Sequence, residues 1–254
     1  MKNRLSYITL IFFISVLSSV SSAATKTTPT RCAVNNITAQ YTIEHPTKQS
    51  KLKLTLVREE NKVAHHYPQT KITEAWEQNH KDQIKPTRYF DAHARAIEYQ
   101  PTERVHGKIE KDWSYRYQLV SQSLIDKYGD NEQTFATCDS QQALSISWKN
   151  QRFDIVFLPN QKLVKEFSVF NNDNQLLERW ALQSVNDDDE AVERFFSERL
   201  AYKSTDFADI GDDHTDPFLT QMVTVGFIEA GASGFYQAHE NGEVSSLGHG
   251  HQHD

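Results

Sequence analysis

From about residue 37 to residue 100 hydrophobic and polar positions alternate with period two, the mark of strands buried on one face. Ile37–His45 is rich in β-branched and aromatic residues, and Leu52, Leu54 and Leu56 alternate with Lys51, Lys53 and Thr55. Residues 58–62 read as a polar turn, 63–67 and 72–78 as strands, 79–83 as a second turn and 87–99 as one closing strand. Short strands joined by polar turns predict an antiparallel meander. The period then changes to that of a helix. Asp112 stands as an N-cap before Trp113, Tyr117, Val120, Leu124 and Tyr128, and Gly129 stops the run. Strand character returns over 143–148, 153–158, 162–170 and 176–185, with polar hairpin breaks at 149–151, 159–161 and 171–174.

An acidic turn at 186–189 caps a second helix with Val192, Phe195, Phe196 and Leu200 facing inward, and Asp216-Pro217 opens a third that ends near Gly226. No internal repeat and no Pro- or Ser-rich linker divides the chain. The pattern predicts an α+β fold: one large curved antiparallel sheet, half-barrel-like, with about three helices packed on one side. Residues 24–238 form a single β-rich domain in this reading, and 239–254 a histidine-rich flexible tail.

The apolar run over 7–20 does not fit this scheme. It follows Lys2 and Arg4, carries no charge, and ends in Ser21, Ser22, Ala23 and Ala24, the small residues a signal peptidase accepts. Residues 1–23 therefore read as an export signal. The run is shorter and more Ser-rich than a membrane span of about 20 apolar residues, so the chain is not expected to be an integral membrane protein. Its location is expected to be periplasmic or secreted.

Export changes how charge and cysteine are read. Removing Lys2 and Arg4 with the signal leaves 25 basic against 34 acidic residues, a net charge of −9. Phosphates would repel such a surface, which excludes nucleic acid as a partner. The two cysteines, Cys32 and Cys138, both lie beyond the signal, and in an oxidising compartment an isolated pair forms one disulfide. Pro29, Thr30 and Arg31 before Cys32 are not the small apolar residues that lipidation requires. No CxxC spacing offers a metal or redox pair instead.

The order strands, helix, strands, helices on an exported chain resembles the periplasmic carriers and receptors that localise outer-membrane lipoproteins. The resemblance spans about residues 37–185 and rests on stretches such as Arg88-Tyr89-Phe90-Asp91 and the hairpin over 165–185. It implies a half-open antiparallel barrel lidded by helices, and it assigns no binding residue.

Candidate chemistry is concentrated near the C-terminus. His249, His251 and His253 alternate with Gly250 and Gln252, and His239 precedes them by ten residues. Imidazoles at such spacing on a Gly-containing chain converge on Zn, Cu or Ni, with Asp254 as a further oxygen ligand. The rival reading is a mobile tail that takes up metal adventitiously. Asp206, Asp209, Asp212, Asp213, His214 and Asp216 surround Gly211 without EF-hand spacing, and read as a solvated loop capping the helix at Pro217. Within 89–99, Ala92, Ala94 and Ala96 alternate with Asp91, His93 and Arg95, a row of polar groups on one strand face. Strand neighbours there lie about 7 Å apart, which favours solvated ion pairs over an acid–base site. His65 and His66 point to opposite faces. Neither HExxH nor GxSxG occurs, nor any phosphate-cradling Gly loop.

The leading expectation is a non-enzymatic exported protein that binds an apolar or amphipathic ligand, or an exported protein partner, in a sheet-and-helix cleft lined by aromatics such as Trp76, Trp148 and Trp180. The alternative is a transition-metal-binding protein that works through its tail.

Overall fold

The computed structural model describes residues 32, 34–105, 108–130, 133–210, 215–219, 236–238 and 244–246. Its strands are β1 (Ile37–His45), β2 (Ser50–Glu59), β3 (Lys62–Tyr67), β4 (Ile72–Gln78), β5 (Ile84–Phe90), β6 (Arg95–Glu98), β7 (Arg104–Val105), β8 (Lys108–Ile109), β9 (Gln142–Trp148), β10 (Gln151–Leu158), β11 (Leu163–Asn171), β12 (Leu176–Asn186), β13 (Lys203–Asp206), β14 (Tyr236–Ala238) and β15 (Val244–Ser246). Helices described at both ends include α1 (Trp113–Gln118), α2 (Gln122–Tyr128) and α3 (Asp189–Leu200), and residues 217–219 are helical as well. Eleven strands form one sheet in the order β13-β6-β5-β4-β3-β2-β1-β12-β11-β10-β9, while β7–β8 and β14–β15 make separate two-stranded ladders.

Two meanders, β1–β6 and β9–β12, are therefore zipped together where β12 returns to β1, pairing Ile43 with Trp180. Every pair in the sheet is antiparallel except β13 beside β6, which is parallel. Tight turns such as Lys149-Asn150, both at positive φ, match the strand twist and close the hairpins where the polar breaks fall.

Curvature follows from contacts that a flat sheet forbids. β2 and β11 are three ladder steps apart, about 14 Å in a flat sheet. Yet Arg58 of β2 reaches the carbonyls of Gln161 and Lys162, which lead into β11. Tyr41 of β1 likewise donates to the Val164 carbonyl at 2.9 Å. The face that carries Tyr41 and Arg58 is thus concave.

The α+β class and the large curved sheet are those the pattern predicts, but the helices divide between its two faces. Tyr115, Tyr117, Leu119, Val120, Leu124 and Ile125 of the α1–α2 region join Leu54, Leu56, Val63, Trp76, Phe153, Phe167 and Trp180 in the main core. Val192 and Phe196 of α3 pack instead on Val57, Ala64, Ala75, Tyr89 and Ala96, the opposite strand parity.

Four local expectations are corrected. The strand foreseen over 87–99 is the hairpin β5–β6: His93 N–H donates to the Phe90 carbonyl at 2.9 Å and Ala94 takes a left-handed φ of 47°. Alternating alanines imitated a strand where the chain turns. The single helix after Asp112 breaks at Leu119, whose φ of 66° ends α1, while Asp112 caps Tyr115 N and accepts from Ser121 Oγ. The break lets both Leu119 and Val120 face the core. Arg58, placed in a turn by its polarity, lies within β2 and is fully buried. Leu200 is 70 % exposed because the inward position of the last α3 turn goes to Arg199, drawn to Asp91.

Candidate functional site

The concave face has two zones. Across β1, β2 and β9–β12 it is apolar and closed by α1–α2. At its end stands an ionisable pair, Glu178 and His45, with Nδ1 3.5 Å from the carboxylate. Burial pushes the Glu178 carboxyl up, although Trp180 Nε1 donates to it.

Across β3–β5 the same face is polar. His65, Glu74 and Arg88 follow one another in register, with Arg88 bonded to the Glu74 carboxylate. From α1, Arg116 lies over the Trp76 ring at 4.3 Å and pairs with Glu110 at 2.6 Å. Burial opposes ionisation of Glu74, but Arg88 and Arg116 outweigh it and hold its carboxyl below the ordinary range. His65 is 3 % exposed, and its Nε2 is 2.8 Å from the Arg116 carbonyl oxygen. Burial, reinforced by the Arg116 guanidinium, depresses its imidazole to about 3, so the ring is neutral and donates through Nε2. The hydroxyls of Tyr67 and Tyr99, both buried, have no hydrogen-bond partner among the described residues. Two guanidiniums and two carboxylates cancel, leaving a neutral strip rich in donors.

Arg58 joins the lid to the body. Its guanidinium is held by the carbonyls of Val34, Gln161 and Lys162 and by the Tyr117 ring at 4.3 Å, and no carboxylate pairs with it among the described residues. Burial lowers its pKa to about 10, which still leaves it charged at neutral pH. Tyr117 of α1 donates to the Val34 carbonyl at 3.1 Å and to Asn35 Oδ1.

Beneath α3 lies a separate hub. Asp91 Oδ2 accepts from Thr73 at 2.7 Å and lies 3.2 Å from His66 Nδ1, while Oδ1 meets Arg199 Nε at 3.1 Å and Tyr202 OH at 3.2 Å. A carboxylate with four fixed partners anchors a helix; it has no lone pair in reserve for a substrate proton. Burial opposes its ionisation, but His66, Thr73 and Arg199 hold its carboxyl below the ordinary value. Beside this hub a cavity of about 40 Å³ opens between Ala75, Tyr89, Phe196 and Leu200, room for about one water.

Of the residues singled out in the sequence, Cys32 and Cys138 are joined in a disulfide that closes a separation of 106 residues. His239, His249, His251 and His253 lie outside the described residues, as do Asp212, Asp213, His214 and the export signal. Among the described residues no group of three or more His, Cys, Asp or Glu is placed to hold a metal. The acidic row dissolves into separate roles: Asp206 caps a short 3-10 turn, and Asp216 pairs with Arg95 at 2.8 Å and Lys203 at 3.2 Å. Asp91 and His93 are not brought together, since His93 packs on Phe218. Sequence reading missed Arg58, His65, Glu74, Arg88 and Arg116. The signal was present: His65, Glu74 and Arg88 share the strand parity of Val63, Trp76 and Phe90, polar residues at positions where burial is expected.

No family model matches the chain, and no curated protein does so. Solved structures with a related arrangement include MucB in complex with MucA(peri), 13 % identical with a TM-score of 0.29, covering 60 % of this chain and 50 % of that one. MucB also matches as the Pseudomonas aeruginosa MucA/MucB complex, at 10 % identity and a TM-score of 0.28, over 59 % of this chain and 50 % of that one. PNGF-II matches at 8 % identity and a TM-score of 0.35, over 67 % of this chain and 30 % of that one. The chain thus spans about half the length of the MucB chains and under a third of PNGF-II. Among the described residues no helix is long and apolar enough to cross a membrane.

Proposed function

We infer that this is an exported, periplasmic or secreted binding protein that holds an apolar or amphipathic ligand against the concave face of its sheet, with α1–α2 as the lid. The observation that carries this reading is how that face is closed. Helices of six and seven residues, too short to persist alone, cover it through side-chain packing. Six apolar or aromatic side chains from this region fill the space. A ligand that displaced them would keep the sheet's apolar face covered, and the lid's own side chains would recover their burial by closing over the ligand. The neighbouring neutral strip, with the hydroxyls of Tyr67 and Tyr99 that lack a partner among the described residues, supplies donors for the polar end of an amphipathic ligand. Export is supported by the residues 1–23 pattern and by the formed disulfide.

The test is direct. Mature protein purified without detergent is extracted and searched for co-purifying lipid by mass spectrometry, and the delipidated form is titrated with an apolar fluorescent probe. Saturable binding with a change in tryptophan emission is expected, since Trp76 and Trp180 lie on the concave face. Absence of both co-purifying lipid and saturable probe binding refutes the reading.

A further inference from the structure

We propose that β9 is a dimerisation edge, whatever the concave face holds: two copies of this chain pair their β9 strands antiparallel about a two-fold axis at Ser145, so that one curved sheet continues into the other. β9 ends the sheet, with β10 on one side and no strand on the other. Which of its backbone groups are free follows from the turn. Lys149 and Asn150 both take positive φ, 41° and 60°, which makes Trp148 and Gln151 the hydrogen-bonded pair that closes a two-residue hairpin. Bonded pairs alternate with non-bonded ones along an antiparallel ladder, and the β9–β10 register runs unshifted from Trp148 back to Gln142. Gln142, Leu144, Ile146 and Trp148 therefore turn their N–H and carbonyl groups to β10. Those of Ala143, Ser145 and Ser147 point outward, with no backbone partner among the described residues.

This edge lacks the features that keep strands apart. β13, at the opposite end of the sheet, is four residues long and begins and ends with a charge, Lys203 and Asp206. β9 is seven residues long with no charge, proline, glycine or bulge, and the side chains on its exposed face are Ala143, Ser145 and Ser147. Such a row of free backbone groups is a template for another strand.

The side chains favour a second copy as that strand. A foreign peptide added to a sheet edge is selected through pockets for its alternate side chains, and three small exposed residues form none. A second copy needs no pocket. With Ser145 opposite its symmetry mate, Ala143 falls opposite Ser147, and the outward groups of all three residues are bonded; a register shifted by two residues pairs only two of the three. On the core side Leu144 and Ile146 then meet Ile146 and Leu144 of the second copy. The first charged residues beyond the strand are Lys149 at one end and Asp139 at the other, opposite in sign, and the two-fold axis turns each towards the other. Asp154, beside the axis, is already engaged: Arg152 Nε lies 3.1 Å from it and Ser145 Oγ donates to it at 2.7 Å.

The experiment follows the full mature chain over a dilution series, by sedimentation for mass and by NMR for amide exchange. A dimer that dissociates on dilution is expected. Exchange at Ala143, Ser145 and Ser147 should slow as the dimer fills, while the amides of Leu144 and Ile146, already bonded to β10, change little. Ala143→Lys with Ser147→Lys sets like charges opposite one another twice across the axis and should weaken dimerisation about tenfold or more. Ala143→Glu with Ser147→Lys sets opposite charges at the same two places and should restore it. Both positions are exposed in the monomer, so neither double variant should move the urea midpoint of the diluted chain. A chain that stays monomeric to about 1 mM overturns the second copy as the occupant of this edge. A dimer that the two double variants weaken equally, or one that leaves the three amides unprotected, overturns it as well.

Discussion

Acid should destabilise this protein well above the pH at which its carboxylates titrate, and His65 should be the cause. Its imidazole has an ordinary value of 6.5 and a buried value of about 3. Above pH 6.5 the ring is neutral in both the folded and unfolded chain, and its contribution is fully present. Below 6.5 the unfolded chain takes up a proton that the folded chain refuses, so stability falls with pH until about 3. Between pH 7 and pH 5 the unfolded state gains about 1.5 pH units of protonation, or about 2 kcal/mol at 1.36 kcal/mol per unit. That is a large share of the roughly 5–15 kcal/mol by which domains are stable. Urea unfolding of the oxidised chain at the two pH values measures it: at an m-value of about 2–3 kcal/mol/M the midpoint should drop by roughly 0.7–1 M. His65→Gln keeps a donor for the Arg116 carbonyl and removes the titration, so its two midpoints should nearly coincide, whatever the variant's stability at pH 7. An equal pH 7-to-5 loss in wild type and variant refutes the assignment.

Other perturbations separate the remaining features. Asp91→Asn leaves the Arg199 guanidinium without its carboxylate under α3 and should cost roughly 3 kcal/mol, with faster hydrogen exchange in α3 than in β1–β4. Asp188→Ala removes the side chain that accepts from Ala191 N at the start of α3 and should cost about 1 kcal/mol by thermal unfolding. Leu200→Gln, at an exposed position, should change stability by less than about 0.5 kcal/mol, and a larger loss would mean the side chain is covered in solution. Truncation after Leu247 removes His249, His251 and His253 and should abolish Zn and Cu binding by calorimetry while leaving the unfolding midpoint unchanged; retained affinity would place the metal elsewhere.

What the sequence disclosed follows from what each pattern encodes. Period two places a residue on one of two faces, and for β1 and β4 it located whole strands, because both faces are contrasted and both ends are marked by turns. The same pattern says nothing of which strand lies opposite, so the β1–β12 junction and the approach of Arg58 to Gln161 were invisible. Polarity misled where charge is buried. Arg58 is as hydrophilic as any turn residue, and only its three carbonyl partners and the Tyr117 ring, distant in sequence, make its place in β2 tolerable. Alternating alanines over 92–96 fitted a strand equally well, and the tie from His93 N–H to the Phe90 carbonyl, with Ala94 at positive φ, decided for a turn. The disulfide was legible because an isolated cysteine pair on an exported chain has few alternatives. The polar strip was not, since His65, Glu74 and Arg88 each read as ordinary surface residues until their shared parity with Val63, Trp76 and Phe90 is noticed.

The return of β12 to β1 also governs how fast the chain reaches its folded form. Ile43 and Trp180 must meet across 137 residues, a non-local pairing of the kind that slows folding. With Cys32 and Cys138 already joined, the path between the same two residues shortens to about 50 residues. The closure entropy saved is about 1 kcal/mol, a four- to fivefold gain if that contact forms in the transition state. Oxidation early in maturation therefore turns a slow search between two independent meanders into a shorter one, and a chain held reduced is exposed for longer with the edges of β1 and β12 unpaired and open to aggregation.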